Sequence, residues 1–368
     1  MKIACLGNYF SIGGAQMDVV LLTELLRQQG HEAEAWFFAR DGDLDTGDTP
    51  FKIFADRSPR NPLAFMKMIS RFCAACWQLR PDALIGLYPF SNVAGALASV
   101  FGLCGVFVAS QRNPSKEQSP VFYHLEKWLG CTRAYRANIC ITQSVADTFY
   151  EYPQCYKDKI KIVYNGVPPM SETNALRDEC RARFGFLTDA PVIGVLGRLH
   201  RQKNIAFIVR CMKDLPDHFL AIAGNGPEHE NLKTLVAALG IEERVMFVGE
   251  LIGEDVTKFY KAIDVFAMPS IYEGFGRTLV EAFATGAPVV CSDLPVLEEV
   301  SGGAAITLPL IEDYWVNTFR KICGGQIDTA ALAAKGKRRA QDFTLEAMLA
   351  GYLEAVEGKV AIAGRTHT

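Results

Sequence analysis

The 368-residue sequence has no excess of positive charge. With 38 Lys and Arg against 41 Asp and Glu, its formal net charge is −3, which excludes a protein that seeks nucleic acid through general electrostatics. It also lacks a repeating cysteine frame. Its 11 cysteines are scattered, and the one close pair, Cys73 and Cys76, has no second pair to complete a zinc site. Free, buried thiols in a reducing compartment are therefore expected. The opening MKIACLGNYF reads as a first strand, with neither a long apolar region nor a small-residue cleavage site. A cytoplasmic location is expected. Finally, residues 83–111 contain no charged side chain. That length permits a membrane span, but Pro89, Ser91 and Asn92 interrupt the run and Gly102 to Gly105 break it again. A buried strand, helix, strand unit accounts for it better.

The remaining composition, 49% hydrophobic and 21% charged, is that of a folded globular chain long enough for two domains with separate cores. The opening is a βαβ pattern: a strand over 2–6, a glycine-bearing loop over 7–14, a helix over 15–29 with Val19, Leu22, Leu25 and Leu26 in period, and a strand over 31–38. The loop lies at the first strand's carboxyl end, where open α/β sheets bind ligands. Residues 63–79 predict an amphipathic helix, and 171–189 a polar helical connector. Between 52 and 80, Lys52, Arg57, Arg60, Lys67, Arg71 and Arg80 are opposed by Asp56 alone. An anionic membrane surface would be attracted there, although packing of the helix on its own sheet is the plainer account.

The densest chemistry lies in residues 268–305. A strand end is stopped by Pro269, and Glu273-Gly274-Phe275-Gly276 forms a glycine-bracketed loop opening onto an apolar-periodic helix that carries Glu281 two turns in. Unpaired N–H groups at a helix start, with glycines allowing close backbone approach, make a seat for an anion. Upstream, a strand over 192–196 leads into a loop with Arg198 and Lys203, five positions apart, so two cations can converge on a diphosphate. No Asp-x-Asp metal motif stands at a suitable strand end. Asp41, Asp43 and Asp45 belong to a surface loop.

Glu273 to Glu281 reproduce E-G-F-G-x-x-x-x-E, followed by a G-x-P-V-V strand, and residues 197–204 reproduce G-R-L-x-x-x-K-N. In this the chain resembles retaining glycosyltransferases of family 4 (GT-B fold, glycosyl transferases group 1). The resemblance implies two doubly wound Rossmann-like α/β domains facing across a cleft: an acceptor-binding domain over 1–168, a nucleotide-sugar-binding domain over 169–343, and a helix from 344 crossing back, with a loose tail. It implies that Glu273 and the N–H groups of Gly274, Phe275 and Gly276 hold the donor sugar, that Glu281 takes the ribose hydroxyls, and that Arg198 and Lys203 hold the leaving phosphates. Gly13 and Gly14 would lie against the donor phosphates and Leu251 near the base. Arg112 and Asn113 are acceptor-side candidates at a position where the family commonly has His.

The activity implied is metal-independent, retaining transfer of a hexose or N-acetylhexosamine from a nucleoside diphosphate sugar, UDP-linked by expectation. The acceptor would be a glycan or a polyprenyl or other lipid-linked molecule in polysaccharide or cell-envelope biosynthesis. No cofactor and no nucleic acid partner are expected, and peripheral contact with the inner face of the cytoplasmic membrane is. Two other readings stay open at this point: a sugar-nucleotide epimerase of the same fold, which needs no acceptor, and a catalytically silent nucleotide-binding partner.

Overall fold

The computed structural model describes residues 1–10, 14–113, 120–186 and 189–358. The chain divides into two compact units, Met1–Gly166 with the stretch that opens at Leu345, and Val167–Thr344.

The first unit is built on strands β1 (Lys2–Phe10), β2 (Glu32–Arg40), β3 (Phe51–Ile53), β4 (Ala83–Gly86), β5 (Val106–Gln111), β6 (Ala137–Cys140) and β7 (Ile160–Ile162). They form a seven-stranded sheet in the order β3-β2-β1-β4-β5-β6-β7, and every pairing is parallel. Parallel pairing requires crossovers, which cover both faces, so the strands must be apolar on both sides. In β1, Ile3 and Cys5 enter one core with Phe37, while Ala4 and Leu6 enter the other with Trp36 and Phe38. This is the two-residue alternation of a doubly buried strand. The helix Leu345–Glu357 belongs to this unit because Met348, Leu349, Tyr352, Ala355 and Val356 complete its first core.

A buried ionic cluster ties that helix down. Arg112, just beyond β5, pairs with Asp18 of the helix Gly14–Gln28, their side chains 6% and 4% exposed. The same guanidinium donates to Asn165 Oδ1 at 3.2 Å and to the Tyr352 hydroxyl at 3.3 Å. Tyr352 in turn shares a 2.8 Å hydrogen bond with Ser110.

The second unit carries β8 (Val192–Leu196), β9 (Phe219–Ala223), β10 (Val245–Gly249), β11 (Val265–Met268), β12 (Val289–Ser292) and β13 (Ile306–Leu308). These form a six-stranded sheet in the order β10-β9-β8-β11-β12-β13, again wholly parallel. Residues 83–111 form β4, the helix Pro89–Val100 and β5, as the broken uncharged run implied. Among the described residues no helix is long and apolar enough to cross a membrane.

Three expectations are corrected. The helical connector shrinks to Arg177–Arg183, because carbonyls ahead of it are taken by tertiary donors: Thr257 Oγ1 donates to Ser171 O at 2.9 Å and Lys261 Nζ to Thr173 O at 2.7 Å. The first strand runs to Phe10, four residues past its expected end, because β2 stays paired with it as far as Arg40. The cysteines are not all free. Nine are, but Cys131 and Cys155 form a disulfide with Cα atoms 5.0 Å apart. Packing of the short helix Gln154–Lys157 under Gly130, where Tyr156 fills the space a side chain would need, brings the two together.

Removing one member of a buried ion pair leaves the other charge uncompensated, at a cost of about 3–5 kcal/mol. Asp18→Ala is therefore expected to lower the urea midpoint of the first unit by that much stability, and a change under about 1 kcal/mol would contradict the role given to the cluster.

Candidate functional site

In the second sheet the chain moves from β8 outward through β9 to β10, then returns to the far side of β8 for β11 and continues through β12 to β13. β8 and β11 are neighbours, with Val265 opposite Ile193, yet their crossovers depart in opposite directions. The crevice at the carboxyl ends of two such strands is where open α/β sheets bind ligands. The loops that leave β8 and β11 are those carrying Lys203 and Glu273.

The two loops are joined. Ile271 N–H donates to Gln202 O at 2.9 Å, Gln202 Nε2 donates to Tyr272 O at 2.9 Å, and Lys203 Nζ lies 2.6 Å from Glu273 Oε1. The Lys203 side chain is 22% exposed and that of Glu273 8%. Glu273 Oε1 also accepts from Ser270 Oγ at 2.8 Å, and Ser292 Oγ on β12 donates to Ser270 O at 2.6 Å. Both serines are buried. They orient the carboxylate from beneath, leaving the ammonium as the group that reaches solvent.

Glycine is required where the β8 loop meets its neighbour. Gly224, at φ +124°, lies so close to Gly197 that a Cβ would stand 2.0 Å from the Gly197 carbonyl oxygen. Leu199 N–H donates to Asn225 O, and Glu228 N–H to Leu199 O, both at 2.9 Å. The Arg198 loop is thus fixed by backbone on backbone. Arg198 itself is exposed and makes no ion pair among the described residues. Leu251, two residues beyond β10, is partly buried.

The helix Arg277–Thr285 starts at Gly276, whose φ of +90° favours glycine. The N–H groups of Arg277 and Thr278 have no acceptor within the helix, whereas Leu279 N–H donates to Gly276 O at 3.0 Å. Phe275 is buried edge-on against Phe343 with ring centroids 5.3 Å apart, so what it can offer a ligand is its backbone. Glu281 is partly buried. Tyr260, fully inside, donates to Glu281 Oε2 at 3.3 Å and to Thr278 O at 3.0 Å. Burial raises the Glu281 carboxyl above its ordinary 4.5, while Arg277, the Tyr260 hydroxyl and Lys203 oppose the rise.

The structure therefore brings Lys203, Glu273 and Glu281 into one electrostatic neighbourhood, with Gly274, Phe275 and Gly276 between the carboxylates. Gly14, the first residue of its helix, and Arg112 and Asn113 belong to the other unit; Gly13 lies outside the described residues. Arg112 is buried and engaged by Asp18, Asn165 and Tyr352, whereas Asn113 is exposed. Arg112 thus acts first as a structural cation. Sequence reasoning missed Ser270, Ser292 and Tyr260. Ser270, three residues before Glu273, and Ser292, two past the G-x-P-V-V strand, lay within the motif's reach; Tyr260 did not. Among the described residues no three His, Cys, Asp or Glu side chains converge to hold a metal ion.

A carboxyl raised by folding contributes its stability in full below the unfolded value and loses it as pH rises through the folded value. Glu281 thus weighs against the folded state at neutral pH. Glu281→Gln is expected to melt above the wild type at pH 7, the gain vanishing as pH falls below 4.5. A gain independent of pH would contradict the burial argument.

The family model "Glycosyl transferases group 1" matches residues 177–305, and "Glycosyltransferase Family 4" matches residues 12–170. The chain is 33% identical over 214 residues to the D-inositol 3-phosphate glycosyltransferase of Mycolicibacterium smegmatis, covering 54% of this chain and 48% of that protein. It is 30% identical over 173 residues to the O-antigen biosynthesis glycosyltransferase WclY of Escherichia coli, covering 47% and 48%. These matches span about half the length of the curated relatives. In fold it is similar to Anabaena HepE, solved in complex with UDP and glucose, with a TM-score of 0.84 at 20% identity over 98% of this chain and 100% of that one. Both halves are matched by the family's models, so the chain belongs to the group 1 glycosyltransferases of family 4, and its fold is the GT-B fold of the solved glycosyltransferases it resembles.

Proposed function

We propose that this protein transfers a hexose or N-acetylhexosamine, with retention, from a UDP-linked sugar to a hydroxyl of a glycan or lipid-linked acceptor in polysaccharide or glycolipid biosynthesis. The observation that carries the reading is the Lys203–Glu273 contact in the crevice between β8 and β11. It sets a cation suited to a diphosphate beside a carboxylate suited to sugar hydroxyls, and the next carboxylate, Glu281, lies two helical turns on. The E-G-F-G loop beside these cations favours transfer over epimerisation. HepE in complex with UDP and glucose supports the choice of base, and the O-antigen enzyme supports the acceptor class.

In this reading the bond from the anomeric carbon to the phosphate oxygen breaks as the acceptor oxygen approaches the same face, and the acceptor's proton passes to the departing phosphate. The developing charge on the diphosphate is met by Arg198, Lys203 and first-turn N–H groups of the helix Arg277–Thr285, fixed dipoles and cations that need little reorganisation. No metal is needed, so turnover is expected to be unchanged by EDTA; loss of activity restored by a divalent cation would contradict this.

Lys203→Ala is expected to weaken calorimetric binding of UDP and to lower transfer by about 10²–10³-fold, the range for one electrostatic stabiliser. Near-normal turnover in that variant would remove Lys203 from the mechanism. Binding of none of UDP, GDP and ADP to the wild type would overturn the transferase reading.

A further inference from the structure

The first unit has its own switch point, between β1 and β4, and beside it lies a pocket that none of the motif residues enters. Its volume is about 240 Å³. It opens where β1 and β2 end and the helices Pro62–Leu79, Pro89–Val100 and Pro120–Gly130 begin. Its bulky apolar walls are Phe38, Phe65, Met68, Phe90 and Phe122. Phe90 is the hub, with ring centroids 4.7 Å from Phe38, 6.1 Å from Phe65 and 5.9 Å from Phe122, all edge to face. The walls thus support one another and stand apart as a concavity.

The polar groups on the lining are few. Asn8 Oδ1 already accepts from Ser91 N–H at 3.1 Å, which leaves its Nδ2 amide and the Tyr9 and Ser58 hydroxyls as the side-chain partners. A sugar ring seated here would lose water from several hydroxyls without replacement, at a cost of about 1–3 kcal/mol each. A hydrocarbon loses nothing of the kind and gains about 25 cal/mol per Å² buried. The volume is below the roughly 300–1,000 Å³ of whole-ligand sites, so it suits part of a chain.

The surroundings carry the opposite chemistry. Ser58 and Pro59 on the lining are flanked by exposed Arg57 and Arg60; Asp56 is the acid nearby in sequence. The helices that supply Phe65 and Phe122 also expose Leu63, Met66 and Val121. An apolar slot whose lining segment is bracketed by two arginines complements a hydrocarbon chain attached to a phosphate.

We infer that this pocket seats the proximal hydrocarbon of a phosphate-linked lipid acceptor, with Arg57 and Arg60, which flank its lining, meeting the phosphates. The inference rests on the glycosyltransferase reading above and narrows its acceptor to the lipid-linked class.

The test is calorimetric, on the full chain, with farnesyl diphosphate and dodecyl phosphate as monomeric probes, inorganic diphosphate as the control, and UDP titrated separately. Farnesyl diphosphate is expected to bind, inorganic diphosphate to compete weakly, and both Phe65→Ser and Ser58→Trp, which opens and plugs the pocket, to weaken the probe about tenfold or more with UDP affinity unchanged. Binding of either probe above that of inorganic diphosphate, lost in both variants, supports the inference. Equal binding of inorganic diphosphate would reduce the site to an anion patch. Vesicle binding lost in the variants with no uptake of either monomeric probe would make it a membrane contact; both outcomes overturn the inference. UDP binding without probe binding rejects the pocket alone, whereas absence of UDP binding rejects the transferase reading itself.

Discussion

A lysine ammonium held 2.6 Å from a nearly buried glutamate is the contact on which the chemistry proposed for the second unit rests. Lys203 and Glu273 are 70 residues apart in sequence, and nothing local brings them together. What does is the parallel sheet. Crossovers that leave β8 and β11 in opposite directions open a crevice, and the pair closes its floor. Such a pair is costly to desolvate and repays the cost only when other hydrogen bonds satisfy the remaining lone pairs. Ser270 supplies one, and Ser292 holds Ser270 in place. The ammonium remains partly exposed, so it can turn from the carboxylate to an incoming anion without leaving a bare charge in the interior.

The first unit uses its charges differently. Arg112 and Asp18 are sealed in a cluster with Asn165 and Tyr352, where the guanidinium ties a strand end to the first and last helices. The aromatic pocket at the same edge of that sheet has the opposite character, apolar walls with cations kept outside. One edge thus separates the work of fixing the fold from the work of receiving a ligand.

Much of this was legible in the sequence because it is local or periodic. The strands read as apolar runs since both sheet faces are covered, and the helix Leu345–Glu357 falls where the family resemblance implied a closing helix. The E-G-F-G and G-R-L loops placed Lys203, Glu273 and Glu281 because their chemistry is packed into short strings. The rest depends on tertiary contacts. β3 is three residues long and has too little periodicity to register. Residues 171–176 are not helical because distant side chains claim their carbonyls. Cys131 and Cys155 meet only after two helices dock, and Arg112 is a structural cation only because Asp18 faces it across 94 positions.

The most direct test of the account is a double-mutant cycle between Lys203→Met and Glu273→Gln, read as UDP-sugar affinity and turnover. If the two side chains act as one device, the losses are non-additive by about 0.5–3 kcal/mol, as expected for groups in contact. Strictly additive losses would mean that the contact joining the β8 and β11 loops is incidental, and the central claim would fall.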